Sequence, residues 1–316
     1  MDQNLMKKYN ETYGCRYTRK SKKRFRNELI KDFQGLGYSH TIVSGKHWLS
    51  KADNLVFGNI KHAKNVVAVT YETPQKMFWW NSYYYPLDGL ATANKTLLPT
   101  FGLLGFLYFL MLGCTYLAEG LLDKEMGLWV SSVIMIVMIV LMFYVLLIGV
   151  GNKHNANRFS ASIAAALEIA GKLDKDERRN TVFVFLDAAS HRHLGARIAA
   201  EDFLKQVRNP NVIVLSTIAK GESMQIGYNA HNKKLAQDIN RCLPADQRLK
   251  LVPLGNEMRT SSSMEHFSKA VVIAAGDLDK RKRLCVKDTA TGRDKQIQEE
   301  RIDQVVQMVS AYLGNK

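Results

Sequence analysis

Two uncharged stretches, residues 97–117 and 127–151, interrupt an otherwise polar chain of 316 residues. Each is long enough to cross a bilayer, since about 20 apolar residues at roughly 1.5 Å rise span the hydrocarbon. Buried core helices rarely run that far without one charge. The short connection between the two stretches demands an antiparallel hairpin. Gly102, Gly105 and Gly113 in the first, and Ser131, Ser132 and Gly149 in the second, permit close helix approach in lipid. The expected architecture is therefore a transmembrane hairpin (97–151) inserted into one domain made of residues 1–96 and 152–316. About 260 residues remain for that domain, enough for a proper core.

The net charge of +15 fits the same reading. Basic residues crowd the N-terminal region and recur after the second stretch at Lys153 and Arg158. The connection 118–126 instead carries Glu119, Asp123 and Glu125 against Lys124. Positive residues mark the cytoplasmic side, so both termini are expected in the cytoplasm of a two-span protein of the cell membrane. Arg16, Arg19, Lys20, Lys22, Lys23, Arg24 and Arg26 form a basic run expected to attract anionic lipid. No RNA- or DNA-binding motif accompanies the charge, so nucleic acid is not an expected partner. Cys15, Cys114, Cys242 and Cys285 form no close pair, which argues against a disulfide framework and for a reducing compartment.

Residues 20–36 read as a basic amphipathic helix ended by glycines. Strand-like runs follow at 54–57 and 66–70. The aromatic run Phe78, Trp79, Trp80, Tyr83, Tyr84, Tyr85 suits either an interfacial belt or packing against the domain. Beyond the hairpin, helices are expected at 160–173, 193–207, 231–242 and 296–313, alternating with strands at 181–187, 211–216 and 271–275. Alternating β and α predicts a mainly parallel mixed sheet flanked by helices. Ligands bind such sheets at the carboxyl ends of the strands, here residues 70–73, 187–190 and 216–219.

Those strand ends carry a family resemblance. V-V-A-V-T-Y-E-T-P (66–74) resembles the V-x-x-A-H-Y-D-T-P segment of the di-zinc aminopeptidases of peptidase clan MH, the bacterial leucyl aminopeptidase and aminopeptidase Y family. Residues 152–170 look like that family's N-A-N-D-N-x-S-G segment. Residues 181–197 look like V-x-F-V-F-F-D-x-E-E-x-G, and 212–219 resemble the strand ending N-x-D-x-x-G. Residues 262–269 resemble S-D-x-x-x-F-x-K, and L-C-V-K-D-T (284–289) resembles H-T-P-x-D-T. The segments occur in family order over nearly the whole chain. Some membrane-anchored members carry a hairpin at the same point, so the hairpin is expected to leave the domain at the rim of the cleft.

The metal-binding residues that the resemblance implies are replaced. Thr70 stands at the first histidine, with Glu72 at the neighbouring aspartate. Arg158 stands at the metal-bridging aspartate, Ala189 and Ser190 at the glutamate pair, Ser216 at the next aspartate, and Leu284 at the last histidine. Zinc needs imidazole, thiolate or carboxylate ligands. An arginine about 4 Å from a divalent cation repels it by roughly 8 kcal/mol at an effective dielectric of about 20. Losing the general base alone removes about 10²–10⁴ in rate. Asp187 and Asp288 fit the motifs but are not metal ligands in the family. Glu72, His154, Arg158, Asp187, His191 and His193 make up the candidate ligand pocket; Arg158 is read either as a solvated charge flanking the membrane or as filling the former metal cavity, there to pair with Glu72 or Asp187 or to hold an acidic ligand such as a peptide carboxylate. His266 is expected to cap or pack beside Phe267.

The expectation is a catalytically inactive aminopeptidase homologue without metal or other cofactor. It would act as a binding, scaffold or accessory subunit for a membrane protein or a peptide. The alternative is an active metallo-aminopeptidase using His154, His191 and His193 as replacement ligands.

Overall fold

The computed structural model describes residues 3–48, 50–77, 82–147, 149–189, 193–206, 209–255 and 263–314. Their packing divides the chain into two units, Met1–Thr92 with Gly151–Lys316, and Ala93–Val150.

The larger unit is built on a mixed sheet of ten strands among the described residues: β1 (His40–His47), β2 (Ser50–Phe57), β3 (Asn65–Thr70), β4 (Tyr83–Tyr84), β5 (Thr181–Leu186), β6 (Asn211–Leu215), β7 (Ser223–Tyr228), β8 (Lys250–Pro253), β9 (Ala270–Leu278) and β10 (Leu284–Lys287). The order is β1-β2-β5-β3-β6-β9-β10-β4, with β7 joining β9 and β8. The centre, β5-β3-β6-β9, is parallel. Antiparallel pairs close it on both sides, β1 and β2 as a hairpin at one edge and β10 with β4 at the other.

Helices cover both faces. Side chains alternate along a strand, so each central strand feeds two cores. Val67, Val69, Phe183, Phe185, Ile213 and Ile273 face one way, towards α2 (Arg19–Gly35), α5 (Ala161–Lys172) and α9 (Glu299–Gly314). Val66, Ala68, Val182, Val184, Val212 and Val272 face the other, towards α7 (Leu194–Lys205). Continuous apolar strands are what two-sided coverage requires. Short helices α1 (Gln3–Lys7), α6 (Lys175–Asn180) and α8 (Lys233–Asn240) complete the layers.

Helix α2 begins at a capping box, in which Thr18 accepts from the Ser21 backbone N–H and Ser21 accepts from the Thr18 N–H. Phe25, Leu29 and Phe33 recur every fourth residue and are buried. The chain leaves through Gly37 at φ 84°, a left-handed position that suits glycine.

The second unit holds most of α3 (Gly89–Leu121) and α4 (Lys124–Leu147), both long and apolar enough to cross a membrane. They extend the expected first stretch at both ends and stop short of residue 151. Ser131 Oγ donates to the Thr115 carbonyl at 3.3 Å between the helices. Gly127 lets the backbones approach, because a Cβ there would lie 3.2 Å from Glu119 Cα. Large apolar side chains, among them Phe101, Phe109, Trp129, Ile136 and Val140, point outward.

Of the aromatic run, Phe78, Trp79 and Trp80 lie outside the described residues. Tyr84 and Tyr85 pack into the domain. Cys15, Cys114, Cys242 and Cys285 form no disulfide.

Candidate functional site

The parallel strands end together. Thr70 pairs in register with Leu186, and Val69 with Leu215, so Thr70–Glu72, Asp187–Ala189 and Ser216 share one edge of the sheet. At these carboxyl ends of the central strands Lys22 of α2 reaches inward. Its Nζ donates to Glu72 Oε1 and to Asp187 Oδ1, each at 2.7 Å. The three side chains are nearly closed to solvent, at 13%, 6% and 5% exposure. Burial works against the charge on Lys22, but Glu72 and Asp187 outweigh it and hold the ammonium above its ordinary pKa.

Asp187 is held from several sides. Oδ1 also accepts from the Ala188 N–H at 2.8 Å, and Oδ2 accepts from the Asp53 N–H at 3.2 Å. The Asp187 N–H donates to Asn54 Oδ1 at 3.0 Å. The first turn of α7 lies against this loop at Gly195, where a Cβ would come within 2.2 Å of the Asp187 carbonyl. Only glycine permits that approach. One helical turn beyond Lys22, Arg26 binds Asp53 at 2.7 Å. Burial opposes ionisation of Asp53, but hydrogen bonds from Ser44, Arg26 and Lys51 outweigh it and hold its pKa at about 2.

Arg16 is fully buried beneath the site. It donates to the carbonyls of Tyr71, Tyr9 and Tyr13 at 2.7, 3.0 and 2.6 Å, and to Ser160 Oγ at 3.3 Å. Burial lowers its pKa to about 9. Arg16 is thus a structural pin, and the expected lipid-facing run needs correction. Arg16, Lys22 and Arg26 turn inward, whereas Arg19, Lys20, Lys23 and Arg24 stay exposed.

Arg158 also differs from expectation. It lies in the turn before α5, with its guanidinium 4.2 Å over the Tyr84 ring and 5.3 Å over that of Phe159. Nη1 donates to Thr289 Oγ1 at 3.4 Å. Glu72 and Asp187 are bridged by Lys22 instead. Asp294, also buried, accepts from the backbone N–H groups of Asn157 and Arg158 at 3.0 and 3.2 Å. Burial pushes its pKa up to about 6 against those bonds and the guanidinium.

The remaining positions make contacts of their own rather than joining the Lys22 cluster. Thr70 Oγ1 lies 3.5 Å from Ser263 Oγ. The Ser216 carbonyl accepts from Ser162 Oγ. Leu284 is buried in the core on the α7 side of the sheet. Ala189 is half-buried, and its carbonyl accepts from the His193 N–H at 3.3 Å. Asp288 sits at φ 65° in the turn after β10. The His193 and His266 rings meet edge to face, 6.5 Å apart, and His266 also pairs with Glu265 at 3.1 Å. Ser190 and His191 lie outside the described residues. The His154 backbone is fixed by Asn152, whose Nδ2 donates to its carbonyl at 2.7 Å and whose Oδ1 accepts from its N–H at 3.2 Å. Burial, then Lys295, Lys76 and Lys153, lower the His154 pKa. Among the described residues no three His, Cys, Asp or Glu side chains are grouped to hold a metal ion.

Sequence reasoning missed Lys22. The signal was present: Lys22 and Arg26 fall at helical spacing with Phe25, Leu29 and Phe33, on the stripe that faces the core.

In three dimensions the chain is similar to a glutaminyl cyclase of Bacteroides thetaiotaomicron, with TM-score 0.58 and 13% identity over 99% of this chain and 96% of that one. It is also similar to the LapA aminopeptidase of Legionella pneumophila, with TM-score 0.55 and 11% identity over 99% and 68%. LapB of the same organism gives TM-score 0.56 and 13% identity over 99% and 69%. The fold is aminopeptidase-like and glutaminyl cyclase-like. No family model and no curated protein matches the sequence. At these identities the likeness shows the fold alone.

Proposed function

We propose that this chain is a membrane-anchored, aminopeptidase-like protein that binds rather than hydrolyses. It would serve as a scaffold or accessory subunit for a membrane protein or peptide at the cytoplasmic face. The observation that carries this reading is the Lys22 ammonium between Glu72 and Asp187. A zinc ion using those carboxylates would have to displace a buried cation already paired with both. The positions that the resemblance equips with ligands or the general base, Thr70, Arg158, Ala189, Ser190, Ser216 and Leu284, hold hydroxyls, an arginine or apolar groups. The residues present therefore do not fit a zinc pair, and no hydrolytic step is derived from them. The outward apolar faces of α3 and α4 support the anchor. Replacement ligation by histidines gains no support at His154, whose lysine neighbours oppose a bound cation.

The test is metal analysis and activity on one preparation of the full chain in mild detergent. Aminoacyl substrates and N-terminal glutaminyl peptides cover the activities named for the structural relatives. The expectation is substoichiometric zinc, no turnover, and no change on replacing His154, His191 and His193 by Ala. Stoichiometric zinc together with a chelator-sensitive activity overturns the proposal.

A further inference from the structure

Three segments of the larger unit are knitted together where the chain returns from the apolar hairpin. Gly151 bridges to Gln75. The Asn152 N–H donates to the Pro74 carbonyl at 3.0 Å, and Asn152 Nδ2 donates to the Thr291 carbonyl at 3.0 Å. The Met77 N–H donates to the Ala290 carbonyl at 2.8 Å, and the Ala156 N–H to the Asp294 carbonyl at 3.1 Å. These bonds bring Lys76, Lys153, Arg293 and Lys295 onto one surface around His154. Lys153, Arg293 and Lys295 are exposed and Lys76 is half-buried. Residues 74–77, 151–154 and 291–295 contain one acid, Asp294. Its carboxylate is buried and turned to the Asn157 and Arg158 N–H groups. These three segments therefore contribute four cations and no exposed carboxylate.

Its position along the chain says what it meets. Lys153 follows Val150, the last large apolar residue of the second stretch, by three residues, at most about 10 Å of extended chain. If α4 crosses a bilayer, that distance places Lys153 in or beside the headgroup layer, and the hydrogen bonds bring the other three cations with it. We propose that Lys76, Lys153, Arg293 and Lys295 form a docking surface for anionic phospholipid headgroups at the return of the hairpin. This rests on the membrane-anchored reading above. It assigns lipid contact to the junction rather than to α2, whose basic run is partly consumed inside the protein. The surface orients the larger unit by charge as well as by its covalent tether.

The test uses the full chain in nanodiscs of phosphatidylcholine with a minor fraction of phosphatidylglycerol. Spin-labelled phosphatidylglycerol and phosphatidylcholine report which lipid the protein holds at its boundary. Wild type is expected to prefer phosphatidylglycerol at low salt and to lose the preference at about 1 M salt, where the screening length falls to about 3 Å. Lys153→Gln with Lys295→Gln should weaken the preference by roughly fivefold per lysine, without a change in thermal midpoint. A control replacing Lys20, Lys23 and Arg24 by Gln should leave it in place. An unchanged preference in the junction variant, or its loss in the α2 control alone, overturns the proposal. Carbonate washing of native membranes separates the two readings. Retention without lipid preference leaves the anchor standing and removes the docking surface; release removes both.

Discussion

Lys22 and Arg158 are both basic side chains drawn out of solvent, yet they are stabilised in opposite ways. Lys22 is matched by charge, with two carboxylates at 2.7 Å. Arg158 lies over two aromatic rings and makes one long bond to a hydroxyl, while the acid beside it, Asp294, receives backbone N–H groups. An ammonium is a compact, strongly hydrated charge and needs anions when buried. A guanidinium is flat and more weakly hydrated, and it tolerates π faces. The first arrangement is therefore sensitive to removal of the cation, and the second much less so.

The largest expected effect follows directly. Lys22→Met leaves Glu72 and Asp187 buried without their partner and should cost about 3–5 kcal/mol in urea unfolding. Adding Glu72→Gln and Asp187→Asn should recover most of that. A triple variant as unstable as the single one would show that Lys22 acts by packing rather than by charge. Arg158→Met should cost less, about 1–2 kcal/mol, and should couple with Tyr84→Leu in a double-mutant cycle. Additive losses would break the cation–π account.

The two sites should also differ in pH dependence. The folded-state pKa of Asp294 is raised to about 6. Its contribution is therefore fully present below the unfolded pKa near 4 and is lost as pH rises through about 6, on the order of 2–3 kcal/mol. Asp294→Asn should flatten the fall in thermal midpoint between those pH values. The raised pKa of Lys22 gives stability that is present below its ordinary 10.5 and is lost as pH rises beyond it, so its own titration acts on the alkaline limb. The smallest effect concerns divalent cations. Lys22→Ala vacates a carboxylate-lined position, and millimolar zinc should raise its stability by about 1 kcal/mol or less. Wild type and Arg158→Ala should not respond. An equal response in wild type would count against Lys22 as the occupant.

Much of the sheet was legible because buried parallel strands are nearly continuous apolar runs. β3, β5, β6 and the core of β9 fall where those runs predict, and α2, α5, α7, α8 and α9 follow their periodicity to within a few residues. β1 was not legible, because its T-I-V-S-G-K run is largely exposed and carries weak alternation. β4 and β10 are too short to announce themselves. At the candidate site, sequence alone put Thr70, Glu72, Asp187 and Ser216 on one edge. It could not show which cation serves Glu72 and Asp187, because Lys22 is 50 residues from one and 165 from the other.

The sequence by itself determined the two long apolar helices and the alternating strands and helices. Each is a local property of residue type and spacing. Only the tertiary structure decided where the basic residues go. Arg16 pins three backbone carbonyls, Lys22 joins two acids, Arg158 lies over Tyr84, and Lys153 and Lys295 share one surface. A charge run in sequence carries no direction. Packing separates its members, because a cation leaves water only where anions, carbonyls or aromatic faces are already fixed to receive it.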